Sequence, residues 1–169
     1  IEEFIELLHG FGITQLVDIR TVPRSRHNSQ FEQDTLRGSL EAAGITYRHL
    51  AELGGLRPSR KGSINLGWRN ASFRNYADYM QTEGFEQGLQ ELLALADEKP
   101  TAIMCAEAVP WRCHRSLVGD ALLVRGVTVL DIIGSGAPKP HTLTSFAVVD
   151  GTTVTYPAYE DGSAEGGEE

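Results

Sequence analysis

The feature that most narrows the folds open to this chain is the regular alternation of two hydrophobic periods along it. Ile1, Phe4, Ile5 and Leu8 recur at three- and four-residue spacing, the mark of one helix face, and Gly10 or Gly12 ends the pattern. The short apolar run Leu16-Val17-Asp18-Ile19-Arg20 follows as a strand. A helix is then expected over 31–43, with Leu36 and Leu40 inward and Gly44 as its stop, and a second strand over 45–50. Ser72 reads as the cap of a helix that buries Phe73, Tyr76 and Met80, and Thr82 as the cap of one that buries Phe85, Leu89, Leu92, Leu93 and Ala96. A strand ending at Met104, an amphipathic helix over 116–125 and a buried strand over 127–133 complete the series. Short strands separated by helices in this way fit an α/β fold, a three-layer sandwich with a mostly parallel central sheet. Residues 145–149 and 152–156 flank Asp150-Gly151 as a C-terminal hairpin on a tight turn.

A chain of 169 residues with 41% hydrophobic content is long enough for one core, so a single α/β domain is expected over 1–158. The acidic, Gly-rich end over 159–169 is expected to be disordered. No apolar run approaches the eighteen or more residues of a membrane span, and no signal-peptide pattern is present, so the expectation is a cytoplasmic protein without a membrane partner. Cys105 and Cys113 are the only cysteines, too few for a disulfide framework, and a bond between them is not expected in a reducing compartment.

Net charge is -8, which by itself argues against an anionic partner, but the charge is unevenly placed. Between Asp18 and Arg74 ten Lys or Arg residues stand against five acids, a window of +5 inside a chain whose remainder carries -13. The cations collect at expected strand ends. Arg20, Arg24, Arg26 and His27 follow the first strand, and His49 and Arg57 follow the second. Cys105, Glu107, Arg112, His114 and Arg115 follow the third. In a parallel sheet all three groups reach one edge, where unpaired N–H groups and helix N-termini favour anions. The guanidinium fork pairs bidentately with phosphate, so arginines in this number suit a phosphorylated ligand.

Cys105, at a strand end with Arg112 and Arg115 close in the chain, satisfies the sequence conditions for a thiolate nucleophile, with His114 or Glu107 to carry a proton. The spacing from Cys105 to Arg112 is C-x6-R, one residue longer than the C-x5-R loop of cysteine phosphatases. Pro110 also removes an N–H from any phosphate cradle. A buried, inert cysteine is the competing reading. Cys105, Cys113 and His114 with His27 or His49 contain metal-ligating types, but no C-x-x-C pairing supports a site, so neither metal nor cofactor is expected. Residues 51–71 lack an apolar period and end in a stretch where Trp68, Arg69 and Arg74 interleave aromatic and cationic character, a composition that can stack on bases and pair with phosphates.

Four separated motifs together carry a resemblance. They are Val17-Asp18-Ile19-Arg20 with Pro23-Arg24-Ser25-Arg26 and Phe31; Tyr47-Arg48-His49-Leu50 with Leu53-Gly54-Gly55-Leu56-Arg57; Phe73-Arg74-Asn75-Tyr76-Ala77; and Cys105-Ala106-Glu107 with Cys113-His114-Arg115. In these motifs, from the first helix to about Ile133, the chain resembles the domain-of-unknown-function 488 family. The resemblance implies a compact α/β fold and no established reaction. Members usually begin with a short strand and a Thr-Ile-Gly-His-Ser-like turn, which implies an N-terminal strand missing from the sequence as given. The functional expectation is a cleft for a phosphorylated small molecule, nucleotide or nucleic-acid end, with Cys105 as nucleophile in a thiol-dependent hydrolase or transferase. The alternatives are a non-catalytic module for single-stranded nucleic acid in which Cys105 is core, and an internal salt-bridge network in which the arginines pair with Asp18, Glu52 and Glu107 and only build the sheet edge. Oligomeric state is not legible.

Overall fold

The structure, a computed structural model, describes residues 1–24, 28–105 and 113–158. The chain divides into two compact units, one of Ile1–Gly54 with Gln87–Cys105 and one of Gly55–Glu86 with Ala106–Glu169.

The first unit is built on a parallel sheet of β1 (Gln15–Asp18), β2 (Thr46–His49) and β3 (Thr101–Met104), in the order β2-β1-β3. Asp18, the last residue of β1, is in register with His49 on one side and Met104 on the other. Side chains alternate across a sheet, and the helices divide accordingly. Leu16, Tyr47, Ala102 and Met104 pack with Leu8 of α1 (Glu2–Gly10) and with Leu36 and Leu40 of α2 (Gln33–Ala42). On the opposite face the buried Gln15 needs polar partners. Its amide donates to the Leu95 carbonyl of α4 (Glu83–Glu98) and to Thr101 Oγ1, both at 2.9 Å. The sheet therefore has helix on both faces. Both α1 and α2 stop where the sequence expects: Gly12 and Gly44 take φ of +73° and +83°, and the next amides, of Ile13 and Ile45, close back onto Leu8 and Leu40 at 2.9 Å.

The second unit holds α3 (Ala71–Tyr79), α5 (Arg115–Leu123) and two small antiparallel ribbons, β4 (Leu130–Asp131) with β5 (Lys139–Pro140) and β6 (Val148–Asp150) with β7 (Thr153–Thr155). Its core is aromatic: Trp68 meets Phe73 and Phe146 edge-on with centroids 5.0 and 4.9 Å apart, and Tyr156 completes the group. Asn65 organises the long loop that precedes α3. Its Nδ2 donates to Asp78 Oδ1 at 2.7 Å and to Gln81 Oε1 at 3.0 Å, and its Oδ1 accepts from the Tyr156 amide at 2.8 Å.

Two local expectations are corrected. Asn70, not Ser72, caps α3, its Oδ1 accepting from Phe73 N at 3.1 Å. The apolar run over 127–133 is not a buried strand of the parallel sheet. Only Leu130–Asp131 pair, antiparallel to Lys139–Pro140, and Leu130 is 52% exposed. Thr82 does cap α4, through Phe85 N at 3.3 Å, and the C-terminal hairpin forms with its turn one residue later than expected, at Gly151-Thr152 in place of Asp150-Gly151, with Gly151 at φ +65°.

Candidate functional site

At the carboxyl end of β1 the chain places Asp18, fully buried, inside an apolar strand. A carboxylate there is costly unless every oxygen is engaged. Arg20 answers it with a fork: Nε donates to Oδ1 at 2.9 Å and Nη2 to Oδ2 at 2.7 Å, while the Arg20 amide adds a bond to Oδ1 at 3.1 Å. Tyr47, from the neighbouring strand, donates its hydroxyl to Oδ2 at 2.5 Å. Burial opposes the Arg20 charge, but the hydrogen bond and charge of Asp18 outweigh it and raise its pKa. Burial, then the bond to Asp18, pushes the Tyr47 hydroxyl far above its ordinary value, so it stays a donor.

The backbone beyond the pair is fixed from two sides. Arg20 Nη1 donates to the Arg24 carbonyl at 3.3 Å, and His49 Nε2 lies 2.7 Å from the Arg20 carbonyl. A carbonyl only accepts, so His49 carries its proton on Nε2 in this contact. Behind it, Gly54 lies against Thr21 so closely that an added Cβ would be 2.4 Å from Oγ1 and 2.7 Å from Cα. Thus Arg20, Arg24 and His49 come together as expected, in changed roles. Arg20 is buried and committed to Asp18, which corrects its expected part as a ligand-binding arginine; Arg24 is exposed.

Cys105 follows β3 directly and Cys113 precedes α5 by two residues. Neither cysteine is free; both are disulfide-bonded, which corrects the expectation of reduced thiols. A bonded sulfur is not a nucleophile, so thiol chemistry at Cys105 requires prior reduction. Cys113 Sγ accepts from Arg115 N at 3.2 Å and from Arg115 Nε at 3.1 Å.

His114 sits edge-on to Tyr76, ring centroids 4.8 Å apart, and its ring covers Gly55, where a Cβ would stand 2.6 Å from Nδ1. Arg57 lies over the Tyr79 ring at 3.6 Å from its centroid. These two candidates therefore pack on tyrosines three residues apart, on one side of α3. Arg74 donates to the Trp68 carbonyl at 3.1 Å. Trp68 is only 3% exposed and is part of the aromatic core, correcting the expectation that it faces a ligand; Arg69 is exposed. Arg26, His27, Glu107 and Arg112 lie outside the described residues.

One polar constellation was not anticipated. Asp120, fully buried on α5, accepts from Tyr156 OH at 2.8 Å and from Thr144 N at 3.2 Å, and pairs with His141 Nε2 at 3.0 Å. The other ring nitrogen of His141 is 3.3 Å from Asp131 Oδ2. The Asp120 bond raises the His141 pKa against the opposing effect of burial, and Asp131 adds to the rise. Gly119 makes the approach possible, since a Cβ there would lie 2.8 Å from His141 Nε2. Its signal in the sequence is spacing: Asp120 falls three after Leu117 and one before Ala121, on the buried stripe of the helix.

Among the described residues no helix is long and apolar enough to cross a membrane. A family model described as "Domain of unknown function DUF488" matches residues 1–122. No curated protein and no solved structure matches the chain.

Proposed function

The chain belongs to the DUF488 family, a membership that carries no reaction with it, and from the sheet itself we propose that it binds a phosphorylated ligand, a nucleotide or nucleic-acid end, at the carboxyl edge of β1 and β3. One observation carries this reading. In the order β2-β1-β3 the chain leaves β1 toward one neighbour and returns on the other, with α2 on one face and α4 on the opposite face. Such a switch in direction opens the strand ends, and ligands of α/β sheets bind there. Arg20 and His49 fix the backbone at that point rather than meeting the ligand. The exposed Arg24, followed in sequence by Arg26 and His27, supplies the cationic contact.

Calorimetric titration with inorganic phosphate and with a nucleoside monophosphate tests it. Arg24→Ala, an exposed position, is expected to weaken binding by about tenfold, the worth of one charged hydrogen bond; unchanged binding in the variant removes Arg24 from the site, and no binding in the wild type rejects the reading. In reduced protein, alkylation of Cys105 resolved by peptide mass and slowed by phosphate supports a thiol-dependent hydrolase or transferase.

A second reading is favoured by the bonded state of both cysteines: a non-catalytic module for single-stranded nucleic acid. It predicts oligonucleotide affinity that falls steeply with salt and is the same in oxidised and reduced protein.

A further inference from the structure

We propose that the long loop of the second unit is a docking surface for the chain's own acidic carboxyl-terminal segment, residues 159–169. From 53 to 77 the sequence contains five Arg or Lys residues and no Asp or Glu. Arg60, Lys61 and Arg69 of that stretch are exposed. The bonds that hold Asn65 inward turn its neighbours outward, leaving Ile64 and Leu66 59% and 55% exposed. The loop thus presents two aliphatic side chains amid cations, a surface that suits an acidic peptide with an apolar anchor.

The path of the chain names the occupant. Gly67 N donates to the Tyr156 carbonyl at 2.7 Å, and a Cβ on Gly67 would stand 2.8 Å from the carbonyl oxygens of Tyr156 and Pro157. Residues 156 and 157 therefore lie against the loop itself. Two positions later begins a segment with Tyr159, Glu160, Asp161, Glu165, Glu168 and Glu169, and no Lys or Arg. Single exposed ion pairs are weak. Tethering changes the balance, because a short link holds the partner at an effective concentration in the millimolar range. Tyr159 supplies the apolar anchor for Ile64 and Leu66, and the carboxylates meet Arg60, Lys61 and Arg69. The docked segment then competes with any other polyanion for the loop. This contact is independent of the proposed site at the sheet edge and stands or falls separately from it.

The test is carbodiimide coupling of the full chain, an equimolar mixture of isotope-labelled and unlabelled protein, followed by peptide mass analysis. Carbodiimide activates a carboxylate and is released as the urea when a lysine amine takes its place in an amide bond. The expected product joins Lys61 to the 159–169 segment within one isotope class. Its yield should fall at least about tenfold between 0.01 M and 1 M salt, as the Debye length shrinks from about 30 Å to about 3 Å. An Arg60→Ser, Arg69→Ser double variant, altered only at exposed positions, should lower the yield at low salt. Absence of the Lys61 product, equal capture by Lys99 and Lys139, or products of mixed isotope class would overturn the proposal. A Lys61 protected by a short oligonucleotide but never joined to the segment would assign the surface to nucleic acid instead.

Discussion

Asp18 and Asp120 are both fully buried, and each takes the hydroxyl of a tyrosine, Tyr47 in one case and Tyr156 in the other. They differ in the cation that answers them. Asp18 is paired with a guanidinium two residues away on the same strand end, a charge that does not titrate in any ordinary range. Asp120 is paired with His141, twenty-one residues later in the chain, which Asp131 holds from its other side. The cation at the edge of the sheet therefore keeps its charge throughout the ordinary pH range. By contrast, the seam between α5 and the β4–β5 ribbon rests on a titratable group, His141, whose hold on a proton the two carboxylates strengthen.

The sharpest way to break this comparison is to remove each charge. Asp18→Asn leaves Arg20 buried without a counter-ion and is expected to cost about 3–5 kcal/mol in urea unfolding. Asp120→Asn should cost less, about 1–3 kcal/mol, because His141 can give up its proton and the amide, with one oxygen left, deprives only one of Tyr156 and Thr144 of its acceptor. Equal losses would mean that the two pairs are not different in kind. Tyr47→Phe and Tyr156→Phe sharpen the point from the shared side: each removes one hydroxyl from a carboxylate that keeps other donors, and each should cost about 1–2 kcal/mol. The smallest effect is the pH slope. With the folded pKa of His141 above its unfolded value of 6.5, the folded chain binds the extra proton. The stability it contributes is complete below about pH 6.5 and is lost as pH rises through the folded value. Urea midpoints measured from pH 5 to 9 should decline over that window in the wild type and lose that component in His141→Gln; a wild-type midpoint without decline contradicts the assignment.

Much of the first unit was legible because its elements obey local rules. The apolar period and the terminating glycines mark α1 and α2, and short apolar runs mark all three parallel strands. The run over 127–133 misled because an apolar stretch states an affinity for cover, and whether a second layer reaches it is decided by distant parts of the chain. Here a two-residue pairing with Lys139–Pro140 suffices, and Leu130 remains in solvent. The candidate site was legible in composition and not in role. Arg20 sits two residues from an acid, and only the strand geometry turns its fork inward onto Asp18 rather than outward to a ligand. Trp68 looked available beside two arginines, yet its partners Phe146 and Tyr156 are nearly eighty residues or more away, beyond any local pattern. The bonded state of the cysteines likewise has no signature in a chain with only two of them.

The adjacent glycines 54 and 55 meet obstacles of different material. A side chain at 54 would run into the Cα of Thr21 and the carbonyl of Ala51, whereas at 55 it would run into the ring of His114. Main chain cannot be trimmed by substitution, but a ring can. Over sequence drift the two positions are therefore unequal: a bulkier residue at 55 has an escape route through a smaller residue at 114, and none of the twenty side chains at position 21 or 51 opens one for 54.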